Sequence, residues 1–372
     1  LPAEHTEDTE KDAAWRVGAG RLPGSIGTAA SAELADARRA LLDGEDECVV
    51  RSSQEEKADM NAHQRAMAGG VAWAAWVAWR VPSFQHEAWA QGLLLFAALV
   101  LVPLALELAA ENDAAGRVTW WVAWTRVAQL PAALLLAWAC ALPAGGAGAV
   151  AAVPWVVVCG MIATTGWLRV RHGGWRRSFD RLCGDAAFIF LGVGGAWVFA
   201  DRAGHRPLGC DEAIVALTAV HFHFAGLLLP LLAGLTVRAF PESRLATRAA
   251  VGALLGVPAV AVGITLTQLG WGPAFESAAG CGLALAGGAV AVLHVRLAME
   301  TKTGTGLPRG LFFVAGVSLF FAMTLAAAYA ARGVLATPMP WLTVPWMRAV
   351  HGTVNALGFG LCGVLAWGRA WR

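Results

Sequence analysis

The chain has 372 residues, 57% of them hydrophobic and 15% charged, with a formal net charge of +2 and a mean hydropathy of +0.56. That balance, gathered into several nearly uncharged runs of about 20 residues, excludes an ordinary soluble domain and predicts a polytopic helical membrane protein whose partner is the lipid bilayer. Nothing in the charge points to a nucleic-acid partner, and the seven Cys include no C-x-x-C pair, which argues against a thiol framework.

Residues 1 to 62 are acidic, with clusters such as Glu4-His5-Thr6-Glu7-Asp8 and Asp43-Gly44-Glu45-Asp46-Glu47, and show little apolar periodicity. This segment is expected to be mostly disordered. It holds no Met before Met60, so translation is expected to begin at Met60 or Met67. Residues 63–372 form the predicted all-α transmembrane domain. About ten spans are predicted, near 66–80, 88–110, 118–141, 145–168, 183–200, 211–237, 247–270, 274–295, 309–330 and 345–367; the first is short.

Lys and Arg gather in alternate loops. Arg169, Arg171, Arg176, Arg177 and Arg181 follow the fourth span, Arg238, Arg244 and Arg248 the sixth, and Arg296, Lys302 and Arg309 the eighth. The other loops carry far fewer, which places the basic loops and both termini in the cytoplasm and makes the span number even. Pro103, Pro131, Pro154, Pro230 and Pro258 fall inside spans, and Pro230 frees the Gly226 carbonyl one turn beyond a His pair. No internal repeat suggests the inverted halves of a transporter.

That His pair, His221 and His223, sits at the middle of the sixth span, where imidazoles are costly and point to chemistry or transport. On the tenth span Arg348, His351 and Asn355 fall at i, i+3 and i+7, one face of an α-helix, at comparable depth. Glu276, near the outer end of the eighth span, is expected to reach the same layer. At about 100° per residue, positions two apart diverge by about 200°, so one His of the pair faces the central cavity and the other a neighbouring helix. Arg126 and Asp185 are expected to form an internal ion pair, and His294, beside Arg296, to be interfacial.

Phe222-His223-Phe224 and His351-Gly352, followed by Asn355, resemble the signature of the YndJ-like family of bacterial integral membrane proteins over roughly residue 70 to the C-terminus. The resemblance implies a multi-pass protein of the bacterial cell membrane in which His223 and His351 are family-typical positions. Membrane proteins of this general kind are associated with actinobacterial pathways to N–N bonded products, which points to a rearranging enzyme. The tract Val220-His221-Phe222-His223-Phe224 is also similar to the haem-ligating tract of haem-copper oxidase subunit I, but the copper-site His pair and its Tyr partner are missing.

The reading that follows is a membrane-embedded enzyme working on a small or amphipathic substrate. His221 or His223 acts with His351 as acid and base, because an imidazole pKa near 6.5 lets the ring take and return a proton. Arg348 holds a substrate carboxylate and Asn355 orients the substrate. A rearrangement of this kind needs no cofactor. Variants place one metal ion between His223, His351 and Glu276 or bind haem, and the reading of a different class is a proton-coupled transporter with a His relay.

Overall fold

The computed structural model describes residues 60–80, 86–110, 120–173, 177–301, 306–335 and 339–370. The acidic segment expected over 1 to 62 lies, up to residue 59, outside the described residues. All described residues belong to one compact unit that starts at Met60. They form ten helical rods: α1 (Ala62–Arg80), α2 (86–110), α3 (Trp120–Ala141), α4 (Gly146–Gly173), α5 (Phe179–Ala203), α6 (Glu212–Ala239), α7 (Arg244–Gln268), α8 (Ala274–Glu300), α9 (Leu307–Ala331) and α10 (Val344–Ala370). Among the described residues, nine of these are long and apolar enough to cross a membrane.

The exception is α1, which nevertheless runs antiparallel along the whole of α2. His63 Nδ1 lies 3.2 Å from Glu107 at one end, and the Trp73 indole donates to the Gly92 carbonyl (2.7 Å) towards the other. Between them Gly69 lets the two backbones touch: a Cβ there would collide with the Leu99 carbonyl. Close approach at a small residue is how helices associate where apolar burial gives no drive.

Both ends of the bundle's chain lie on one face. The last turns of α10 pack against 102–110 of α2, the same turns that meet the start of α1 through Glu107. Arg169 belongs to this face as well, lining a cavity with Leu106. The basic loop after α4 and the two ends therefore share a side, as an even number of crossings requires. By the positive-inside rule that side is cytoplasmic.

On the opposite face, Arg202 shows how a buried charge is accommodated. Its guanidinium meets the terminal carbonyls of α3 at Ala139 and Leu142 (3.4 and 3.5 Å) and bonds Asp201 (2.8 Å), satisfying helix-end carbonyls that have no intrahelical donor.

Three crossings depart from α winding. π turns occupy Ala97–Leu101 in α2, Phe222–Gly226 in α6, and Arg348–Gly352 and Val354–Leu361 in α10. The first two precede Pro103 and Pro230, whereas Pro131, Pro154 and Pro258 sit in α-wound helices. The α10 stretch has no Pro but carries Gly352, Gly358 and Gly360. The π turns of α2, α6 and 354–361 touch one another pairwise. Gly360 sits at their junction, where a Cβ would lie 3.0 Å from Leu228 Cδ1 and 3.2 Å from Leu101 Cδ1. The buried Gln129 of α3 donates to the Ala98 carbonyl (2.7 Å) inside the first π turn. π winding recurs at functional sites because it realigns side chains that regular helix spacing would hold apart.

Candidate functional site

Four imidazoles lie within the helices α6, α8 and α10, and their hydrogen bonds divide them. His223 is completely buried. The Trp155 indole N–H of α4 donates to its Nε2 (3.1 Å), which obliges Nδ1 to carry the ring proton and donate to the Ala219 carbonyl (2.8 Å). Trp155 also stacks on the ring at 5.9 Å between centroids. Gly194 of α5 makes the room, since a Cβ would lie 2.9 Å from Nδ1. His223 is thus a neutral imidazole with both nitrogens committed.

His294 repeats the arrangement in α8. It is fully buried, accepts from Trp367 Nε1 of α10 (3.2 Å) and donates from Nδ1 to the Val290 carbonyl (2.9 Å). Phe312 and Phe359 flank it, with ring centroids at 6.0 and 5.8 Å. The expectation of an interfacial His294 is corrected: nearness to Arg296 in sequence did not reveal that the ring turns inward against Trp367.

His351 is half-buried. Its Nδ1 donates to the Ala322 carbonyl of α9 (2.9 Å), and Asn355 Nδ2 donates to its Nε2 (3.1 Å). The expected i, i+3, i+7 face through Arg348 needs correcting, because 348–352 and 354–361 are π-wound and α spacing does not hold there. The His351–Asn355 pair survives, four residues apart.

His221 differs from the other three. Its Nε2 is buried without a hydrogen-bond partner, and neither ring nitrogen is engaged by any described residue. It lies within electrostatic reach of His351. Two more polar groups near this junction are equally uncommitted, Gln91 Oε1 on α2 and Arg348 Nε on α10. The first turns of α2 pack against the first turns of α6 and against 348–352. Trp89 Nε1 donates to Thr353 Oγ1 (2.9 Å) across the α2–α10 contact, and Glu87 is within electrostatic reach of Arg348. Counted from the helix ends at about 1.5 Å per residue, Gln91, His221, Arg348, His351 and Asn355 lie roughly 6 to 17 Å below the outer face. Three unsatisfied polar groups around one junction are unusual, since buried polar groups are as a rule paired.

Profile comparison assigns residues 92–359 to the family described as YndJ-like protein. The chain belongs to the YndJ-like family. A relative, the uncharacterized membrane protein YndJ of Bacillus subtilis (strain 168), is 31% identical over 180 residues, covering 48% of this chain and 31% of the relative. The chain thus matches about a third of that relative's length. No solved structure matches. With this membership and its helices, the chain is a multi-pass bacterial membrane protein. The family match spans His221, His223, His294, Arg348, His351 and Asn355, and begins one residue after Gln91.

Glu276 does not join this junction. Its backbone packs against Gly263 of α7, and its carboxylate is within electrostatic reach of Tyr329 of α9, because α8 begins among α7 and α9. The metal set expected from His223, His351 and Glu276 does not fit: both imidazoles have both nitrogens bonded, and no group of three His, Cys, Asp or Glu among the described residues has metal-binding geometry. Asp185 takes its partners from the end of α4 and the segment after it, Arg169 at 3.8 Å and Arg177 at 2.9 Å, which corrects the expected pairing with Arg126.

Sequence reasoning missed Gln91, Trp155 and the His294–Trp367 pair. An amide in a run as apolar as that of α2 was a usable signal for Gln91. One Trp among eighteen was not.

Proposed function

We propose that this chain is a membrane-embedded enzyme that moves a proton on a small or amphipathic anionic substrate, with His221 as the acid and base. One observation carries the reading: His221 has its ring nitrogens uncommitted, on a helix segment that packs against the one carrying the equally uncommitted Gln91 Oε1, which in turn packs against the one carrying Arg348 Nε, while the other three membrane imidazoles are hydrogen-bonded at both nitrogens. A neutral imidazole takes a proton from one substrate atom and returns it to another, so the ring ends unchanged and the substrate is isomerised. Arg348 holds a carboxylate or similar anion through its planar fork. Gln91 and the His351–Asn355 pair orient the substrate by neutral hydrogen bonds.

The test compares product formation by wild-type protein and His221→Gln in detergent micelles, with extracts of the native membrane as the substrate pool and mass spectrometry as the readout. The expected result is a product whose formation falls by about 10²–10⁴-fold in the variant, the usual contribution of a general acid–base group. A His221-dependent change that appears only in sealed vesicles, as transfer of an unaltered solute, replaces the enzyme with a proton-coupled carrier. Conversion that is equally fast in the variant removes His221 from the chemistry.

A further inference from the structure

A small, mostly apolar cavity with two arginines in its wall lies at the cytoplasmic side, far along the helices from His221. It is lined by Leu106 of α2, Thr125 and Arg126 of α3, Thr165 and Arg169 of α4, and Phe188 of α5. Arg169 stands over the Phe188 ring at 5.4 Å and 3.8 Å from Asp185 Oδ1, whose other oxygen is held by Arg177 at 2.9 Å. Asp185 is therefore already shared between two guanidiniums. Arg126 has no ion pair or hydrogen bond among the described residues, so it puts into the cavity wall a positive charge that Asp185 does not pair.

The depth and the rim identify what balances it. Arg126 is six residues inside α3 and Arg169 four from the end of α4, roughly 6 to 9 Å from the helix ends at about 1.5 Å per residue, where lipid phosphates meet the hydrocarbon. Trp124 and Val127 flank Arg126 in sequence and are 60% and 50% exposed, and Trp167, two residues before Arg169, is 57% exposed. These side chains face the bilayer, so apolar surface for acyl chains borders the basic cavity. Basic pockets between transmembrane helices on the cytoplasmic side suit anionic head groups.

We infer that the cavity between α3, α4 and α5 binds a phosphate group on Arg126 and Arg169, supplied by an anionic phospholipid of the cytoplasmic leaflet. Arg126 presents the fork geometry that phosphate oxygens match.

The experiment is native mass spectrometry of the full chain released from micelles, titrated separately with phosphatidylglycerol, phosphatidylcholine and inorganic phosphate. Wild-type protein is expected to retain phosphatidylglycerol at least fivefold more than phosphatidylcholine, and Arg126→Gln to lose that preference. Arg126→Lys keeps the charge without the fork and is expected to fall between them, which separates loss of binding from loss of folding. Retention of inorganic phosphate at Arg126 with no lipid preference assigns the same chemistry to a soluble phosphate. Equal retention of both lipids by wild-type protein with no phosphate bound, or an unchanged preference in Arg126→Gln, overturns the site.

Discussion

At the scale of single residues, the identity of a side chain is less informative than whether its hydrogen bonds are filled. His221 and His223 are two positions apart, and nothing in the sequence distinguishes them as chemistry, yet one ring is saturated by Trp155 and Ala219 and the other has no hydrogen bond among the described residues. The partner is 68 residues away in sequence, so only tertiary structure reveals it. The repeated Trp–His–carbonyl unit makes a paired prediction. Trp155→Phe and Trp367→Phe each leave a fully buried imidazole nitrogen without its donor, and each is expected to cost about 1–3 kcal/mol, the penalty for an unmet buried polar atom. Denaturation of the two variants in the same detergent checks that both fall. Exposed Trp138 of α3 is the control, and its change to Phe is expected to leave stability within about 0.5 kcal/mol.

At the scale of elements, composition and hydropathy marked the nine long apolar helices, because a bilayer crossing demands a long apolar run whatever it packs against. The π turns were not legible. Pro103 and Pro230 signalled interruptions, but so did Pro131, Pro154 and Pro258, which lie in regular helix, and the π turns of α10 contain no Pro. Gly360 tests the junction. Gly360→Val places methyls into Leu228 and Leu101 and is expected to destabilise by about 1–3 kcal/mol, as overpacking does. Gly160→Ala, where nothing lies within 4 Å, is expected to be neutral or slightly stabilising. Gly69→Val, which drives a side chain into the Leu99 carbonyl, is expected to detach α1 and to open it to protease in intact vesicles.

At the scale of the whole molecule, charge asymmetry fixed the sidedness and the packing of α1, α2 and α10 agrees with it, so loop residues give a direct check. In a chain whose native cysteines are replaced by Ala, His205→Cys is expected to react with a membrane-impermeant maleimide in intact cells, and His172→Cys only after permeabilisation. The same topology puts the His221 junction in the outer half of the bilayer and the Arg126 cavity on the inner side. The sequence pointed to the outer layer through His221, Arg348, His351 and Asn355. It misplaced Glu276, whose helix packs between α7 and α9, because position along a helix can be counted and the identity of its neighbours cannot. The central claim is that His221 is the uncommitted imidazole among saturated ones. The thermal midpoints of His221→Leu and His223→Leu, measured side by side in one detergent, test it most directly. His223→Leu strands the Trp155 N–H and is expected to melt lower by the equivalent of about 1–3 kcal/mol, whereas His221→Leu removes a buried atom with no partner and is expected to melt at or above the wild-type midpoint. Equal losses in the two variants would mean that His221 is as firmly bonded as His223, contradicting the account.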